Sequence, residues 1–374
     1  MIYADNASTT KICASALEAV NKAYRELYAN PSALHSEGEK ARDAIENARA
    51  VIAGCLNAQP DEIFFTSGGT ESDETALLSA VRASGKHHII STQIEHPAVL
   101  ETLSALEQKG FSVTLLPPES DGVVSTERIK KAITPETALV SVMYANNETG
   151  AIQEIKEIGS LCREKEILFH TDAVHAAGHV PIDVQNDNMD MLSASAHKFG
   201  GPRGTGILYI RNNIPRYPLI LGGGQEKGLR SGTENAPSIL GTAAALKEKT
   251  DRMTENTART LRLRQILMDG IAAIPGAHIN STAGHCVPGT LNVRFDGINS
   301  EALAALMDAN GIEISTCSAC SAGKVKHSRT LLAMGLAPAQ AENSVRISVN
   351  EDNTEDEMHI ITKTLSRITG SYSG

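Results

Sequence analysis

No run of apolar residues in this 374-residue chain approaches the ~18 needed to cross a bilayer as a helix, so a helical membrane protein is not expected. A basic surplus is missing too. With 34 Lys and Arg against 44 Asp and Glu, the net charge is −10, the wrong sign for a general binder of nucleic acid or anionic membranes. The opening residues MIYADNASTT contain neither the basic patch nor the apolar core of a secretory signal, and a cytoplasmic location is expected. Six cysteines (Cys13, Cys55, Cys162, Cys286, Cys317 and Cys320) are too few over this length for a disulfide framework, so any special cysteine is expected to act as a reactive thiol. Three common signatures are absent as well. Without a Walker A loop or GxGxxG, nucleoside triphosphate and dinucleotide binding lose their usual support, and no HExxH supports zinc.

What is present is a globular composition, 41% apolar and 21% charged, with no low-complexity stretch or internal repeat, over a length suited to about two domains. From about residue 36 to 210, helical periodicity alternates with short β-rich runs. SEGEKARDAIENARAVIAGCL reads as a helix opening at Ser36, EIFFT as a strand, and ESDETALLSAVRASG as a helix closed by glycine. HHIIST, FSVTLL, TALVSVM, ILFHTD, MDMLSAS and TGILYI continue the strands, with helices between most of them. Such alternation predicts an α/β fold, a mainly parallel sheet covered by helices on both faces, with ligands gathered beyond the carboxyl ends of its strands. After the glycine-rich LGGGQEKGLRSGTENAP, one long helical stretch is expected over residues 247–274. The pattern then changes to GTLNVRF, EALAALMDANG, a single strand IEIST, SVRISVN and a last helix from TEDEM. The expected division is a large domain over 1–256 and a smaller α+β C-terminal domain over 257–374.

Three stretches carry chemistry. TSGGTES, residues 66–72, runs from a strand into a helix, so unpaired N–H groups form an anion site that Gly68 and Gly69 open to close approach; phosphate is the natural guest. SASAHKFGGPRGTG, residues 193–206, follows a strand and sets Lys198 beside Ser195 and His197. A lysine kept uncharged there can form a Schiff base. ILFHTDAVHAAGH, residues 167–179, ends a buried strand on Asp172, a carboxylate in need of a cation, which a protonated pyridine nitrogen would supply. His175 and His179 would lie one turn apart on a helix, which leaves a metal reading open, although no further ligand pattern supports it and none is expected. An amine for an aldehyde, an acid for a pyridinium and a glycine-threonine cup for phosphate together describe pyridoxal 5′-phosphate, PLP.

The motifs NPSALHSEG, TSGGTESD, EHPAVL, NNETG, HTDAV, SAHKFGGPRG, RSGTEN and SACS follow one another in an order that resembles the NifS/IscS-type cysteine desulfurases. These are PLP enzymes of the class-V aminotransferase group and fold type I. The resemblance covers nearly the whole chain and implies conversion of L-cysteine to L-alanine, with sulfur passed to an enzyme cysteine as persulfide, for iron–sulfur cluster, thio-cofactor or tRNA biosynthesis. It also implies that Lys198 holds the cofactor aldehyde and moves protons at the substrate α-carbon. Asp172 would bind the pyridine nitrogen, His96 would stack on the ring as a further catalytic residue, and Gly69, Thr70, Ser195 and His197 would hold the phosphate. By the same resemblance His175 addresses the phenolic oxygen, Asn147 lies near ring and substrate, and Arg346 grips the substrate carboxylate. Thr233 is similar to the residue that the family contributes from the neighbouring subunit, so a homodimer with shared sites is implied. Cys320 of SACS would be the nucleophile, attacking as thiolate. The small residues of STCSACSAG would let the loop reach the site and carry sulfur outward to an acceptor protein.

The chain departs from the family pattern in several places. Cys317 stands where glycine is common and is read as a tolerated small residue rather than a disulfide partner or sulfur relay. His175 stands where glutamine is usual, so its titration could alter the pKa of the Schiff base. Ala4 and Ser8 differ from the commoner LDNAATT. HSRTL replaces the usual PSHVL and gathers Lys324, Lys326, His327 and Arg329 near the nucleophile, either a docking patch for an acceptor or a solvated basic turn. Two other functions stay open on sequence alone. One is a selenocysteine lyase or another PLP-dependent lyase or aminotransferase on the same scaffold; the other is a non-catalytic thiol-redox or sulfur-carrier protein using Cys317 and Cys320.

Overall fold

A computed structural model describes residues 1–282, 284–316 and 327–372. The chain opens with β1 (Ile2–Tyr3), α1 (Ala14–Glu26) and α2 (Ser36–Leu56). Strands and helices then alternate: β2 (Ile63–Thr66), α3 (Gly69–Ser84), β3 (His88–Thr92), α4 (Pro97–Glu107), β4 (Ser112–Leu116), α5 (Thr126–Ala132), β5 (Thr137–Ser141), α6 (Ile155–Glu164), β6 (Leu168–Asp172), β7 (Met191–Ser195) and β8 (Gly206–Ile210). Every residue of β3, β5, β7 and β8 is buried, as a sheet covered on both faces requires. The sheet has the order β2-β8-β7-β6-β5-β3-β4. Its pairs are parallel except those made by β8, which is antiparallel to both neighbours. The link over 196–205 holds no crossover α-helix, so the chain returns beside β7 in the opposite direction. One face packs on α3 and α4 through Leu77, Val99 and Leu103, and the other on α2 and α6 through Ile52 and Ile158.

The remaining elements are α7 (Ala236–Asp251), α8 (Met253–Ala272), β9 (Ala277–Ile279), β10 (Thr290–Phe295), α9 (Ser300–Asp308), β11 (Ile312–Glu313), β12 (Ser315–Thr316), α10 (Arg329–Ala333), α11 (Pro338–Glu342), β13 (Ser344–Ser348) and α12 (Glu355–Gly370). β12, β13, β10 and β9 form an antiparallel sheet, and Leu263 and Leu267 of α8 and Ile361 and Leu365 of α12 belong to the core it shares.

Two expectations from the sequence need correction here. The stretch over 247–274 is not one helix. It breaks at Arg252, because α7 supplies Ile239 and Leu246 to the first core whereas α8 supplies Leu263 and Ile271 to the second. IEIST is likewise not one strand: β11 pairs with β1, while β12 pairs with β13. Ile2 and Ala4 of the N-terminal arm pack in the second core. The arm then runs beside β13, where Asn6 N–H donates to Ser348 O and Ser348 N–H to Ala4 O, and so passes between the two cores.

Candidate active site

The carboxyl ends of β2, β3, β5, β6 and β7 open on a cavity of ≈ 200 Å³. Gly69, Thr70, His96, Asn147, Asp172, His175, Ser195, His197, Lys198 and Arg346 all line it. All but one lie at or after the carboxyl end of a strand of the seven-stranded sheet, which is why such a sheet collects them; Arg346 arrives from β13 of the second sheet.

Lys198 closes a short 3₁₀ turn directly after β7, and its Nζ donates to the carbonyls of Ala7 (2.7 Å) and Ser8 (2.9 Å) in the arm. Its own carbonyl pairs with His179 Nε2 at 2.9 Å, which fixes the turn from behind. Asp172 ends β6 with Oδ1 accepting from Val174 N–H at 2.9 Å. Burial raises its pKa above the ordinary carboxylate value despite the opposing pull of His96, the Val174 N–H and Lys198, so the cavity holds an acid short of a cation. Two more acids lie buried nearby. Asp73 Oδ1 has no hydrogen-bond partner among the described residues, with His170 Nε2 at 3.6 Å, and burial followed by the charge of Asp172 raises its pKa well above normal. Glu95 accepts from the Thr92 hydroxyl (2.6 Å) and Met143 N–H (2.9 Å), and burial pushes it up to about 8. Burial thus raises the pKa of all three acids, and Asp172 is the one that Lys198 and the Val174 N–H pull back toward the charged form.

His96 caps α4: its Nδ1 accepts from Ala98 N–H at 3.1 Å, which assigns any remaining proton to Nε2. Burial lowers its pKa and keeps the ring neutral. At the other end of the cavity, α3 begins at Gly69, so its first N–H groups have no partners within the helix. Glycine is required by close approach, since a Cβ at position 69 would lie 2.6 Å from Val174 Cγ2. These donors suit PLP. The short-changed acid matches a ring nitrogen, the amine of Lys198 matches an aldehyde, and the α3 terminus with Thr70, Ser195 and His197 matches a phosphate.

His175 Nε2 pairs with Thr290 Oγ1 at 3.0 Å. Burial, and then the charges of His179, Lys198 and Arg346, hold its pKa well below the ordinary imidazole value, so it stays neutral at physiological pH. Because a depressed pKa places protonation below the working range, His175→Gln should leave the pH profile of kcat/KM unchanged over roughly pH 6 to 8. Steady-state rates across that range check this, and a displaced profile would count against a neutral His175. His175 and His179 turn to separate partners rather than to a common ligand.

Thr233 is exposed and does not line the cavity of its own chain. Cys317, Cys320, Lys324 and Lys326 lie outside the described residues. Four cavity residues went unread in the sequence: Asp73, Met143, Ala145 and Val174. For Asp73 a signal existed, since it lies four residues after Gly69 and hence on the same face of α3. The arm residues Asp5, Ala7 and Ser8 also touch Lys198 or Arg346.

This arrangement, a lysine amine and a buried acid at the strand ends of an α/β sheet, points to a class, and residues 2–361 match the class-V aminotransferase family. A cysteine desulfurase IscS of Clostridium botulinum is 45% identical over 372 residues, covering 98% of this chain and 94% of the relative. One from Methanosarcina thermophila is 42% identical, covering 98% and 91%. Among solved structures, a NifS-like protein superposes with a TM-score of 0.92 at 40% identity over 98% of both chains. A structure of SspA in complex with cysteine gives 0.82 at 38% identity over 93% of this chain and 99% of that one. The chain belongs to the NifS/IscS-type cysteine desulfurases of the class-V aminotransferase family.

Proposed function

We infer that this protein is a PLP-dependent cysteine desulfurase that converts L-cysteine to L-alanine and takes the sulfur as a persulfide. The observation that carries the reading is the convergence of Lys198, Asp172, the α3 terminus and Arg346 on one cavity. When bound, PLP supplies an aldehyde for an amine and a ring that draws electrons away from the adjoining carbon. Asp172 would hold the charge opposite the ring nitrogen, beside Asp73 and Glu95, whose pKa values burial raises. His96, neutral and fixed by its cap bond, would lie against the ring. Lys198 Nζ moves a proton at the substrate α-carbon, and Arg346 with Asn147 orients the carboxylate. Cys320 is the nucleophile: an S–S bond forms to its thiolate as the substrate Cβ–S bond breaks, and the carbon takes a proton as alanine forms.

The finer reading is a cytoplasmic homodimer in which Thr233 serves the neighbouring site, with delivery to an acceptor protein. The exposure of Thr233 outside its own cavity supports the shared site. Incubation of the PLP-loaded protein with L-cysteine should yield alanine without pyruvate, one bound sulfur mapping to Cys320 by peptide mass, and neither product from Cys320→Ser. Pyruvate as the main product, or undiminished alanine formation in Cys320→Ser, would replace the desulfurase reading with a lyase.

A further inference from the structure

We propose that Ser8 is a specificity-determining positioning residue that weakens the hold of Arg346 on the substrate carboxylate. The proposal rests on the reading of Arg346 as the carboxylate grip. Arg346 is buried on β13, and its donors are already largely committed. Nη1 donates to Asn147 O at 2.9 Å. Nη2 donates both to Asp5 Oδ1 at 2.8 Å and to Ser8 Oγ at 2.6 Å. The Ser8 hydroxyl passes its own proton to Asp5 Oδ1 at 2.9 Å, so its lone pair is turned to the guanidinium. Nε is buried and has no partner among the described residues.

A guanidinium grips a carboxylate with two parallel bonds either from Nη1 and Nη2 or from Nε and Nη2. Both faces include Nη2. Its two N–H groups are taken by Asp5 and Ser8, so neither face is complete: an incoming carboxylate finds an N–H of Nη1 or that of Nε without the Nη2 N–H that would make the pair, on a cation already balanced by Asp5. Ser8→Ala returns one N–H of Nη2 without disturbing the Ser8 carbonyl, which accepts from Lys198 Nζ. Serine at this position therefore trades affinity for a looser, more readily released amino acid.

The test titrates the PLP-loaded protein with L-alanine, which carries the amine and carboxylate but no sulfur, following the visible band of the cofactor. Alaninamide serves as the probe without a carboxylate. Ser8→Ala is expected to lower the dissociation constant for L-alanine about three- to tenfold, the value of one net hydrogen bond, while leaving that for alaninamide unchanged. The KM for L-cysteine should fall with it, the effect lying in KM rather than kcat. Ser8→Thr, which restores the hydroxyl, should restore the wild-type constant. An unchanged or weaker L-alanine affinity in Ser8→Ala overturns the proposal, as does an equal change for alaninamide. Arg346→Gln separates the two levels: if it binds L-alanine as well as wild type, the reading of Arg346 fails; if it loses binding while Ser8→Ala does nothing, only the role of Ser8 fails.

Discussion

Replacing Lys198 with alanine should reduce alanine formation from L-cysteine by about 10³-fold, measured as product released by the PLP-loaded variant at saturating substrate. Two jobs rest on one amine in the proposed reaction, holding the aldehyde and moving the α-carbon proton, and no other lysine lines the cavity among the described residues. Lys249, which sits behind the site near His179, is already paired with Glu351. Arg346 cannot act as a base at any accessible pH. The turn that presents Lys198 is fixed by His179 and by the hydrogen bonds of Thr10 to His197 O and Gly200 N–H, so the loss should reflect chemistry rather than displacement of the backbone. A variant retaining more than a tenth of wild-type turnover would show that another group performs the proton transfer.

Asp172→Asn should weaken PLP binding by about 10²-fold or more, read by titrating cofactor into the stripped protein. The substitution keeps the shape, and the amide oxygen can still accept from Val174 N–H, so β6 has no reason to unfold. What disappears is the charge opposite the ring nitrogen. Asp73 and Glu95 are poor replacements, because burial, the largest cause in each, raises the pKa of both. Wild-type affinity in Asp172→Asn would mean that the ring does not lie against this acid.

The central sheet was legible because short β-rich runs such as HIIST and TALVS alternate with helical periodicity, and α2 was legible to its ends. Cavity residues on strand ends, such as Asp172 and Lys198, were legible for the same reason: a parallel sheet places the residue after each strand at one common rim. The break at Arg252 was hidden, since helical periodicity persists through residues that serve two different cores. The commitment of Arg346 was hidden as well. Its partner Ser8 lies 338 positions away, and only the folded arm, pairing β1 with β11 and Asp5 with Ser348, brings a short polar residue against that guanidinium. Local pattern reports what an element is; it does not report which distant element will satisfy its donors.

Reduction of the PLP-loaded protein with borohydride, followed by peptide mass mapping of the fixed cofactor, bears on the whole site at once. The pyridoxyl-phosphate adduct is expected on Lys198. An adduct on a different lysine, or none after loading, contradicts the proposed site.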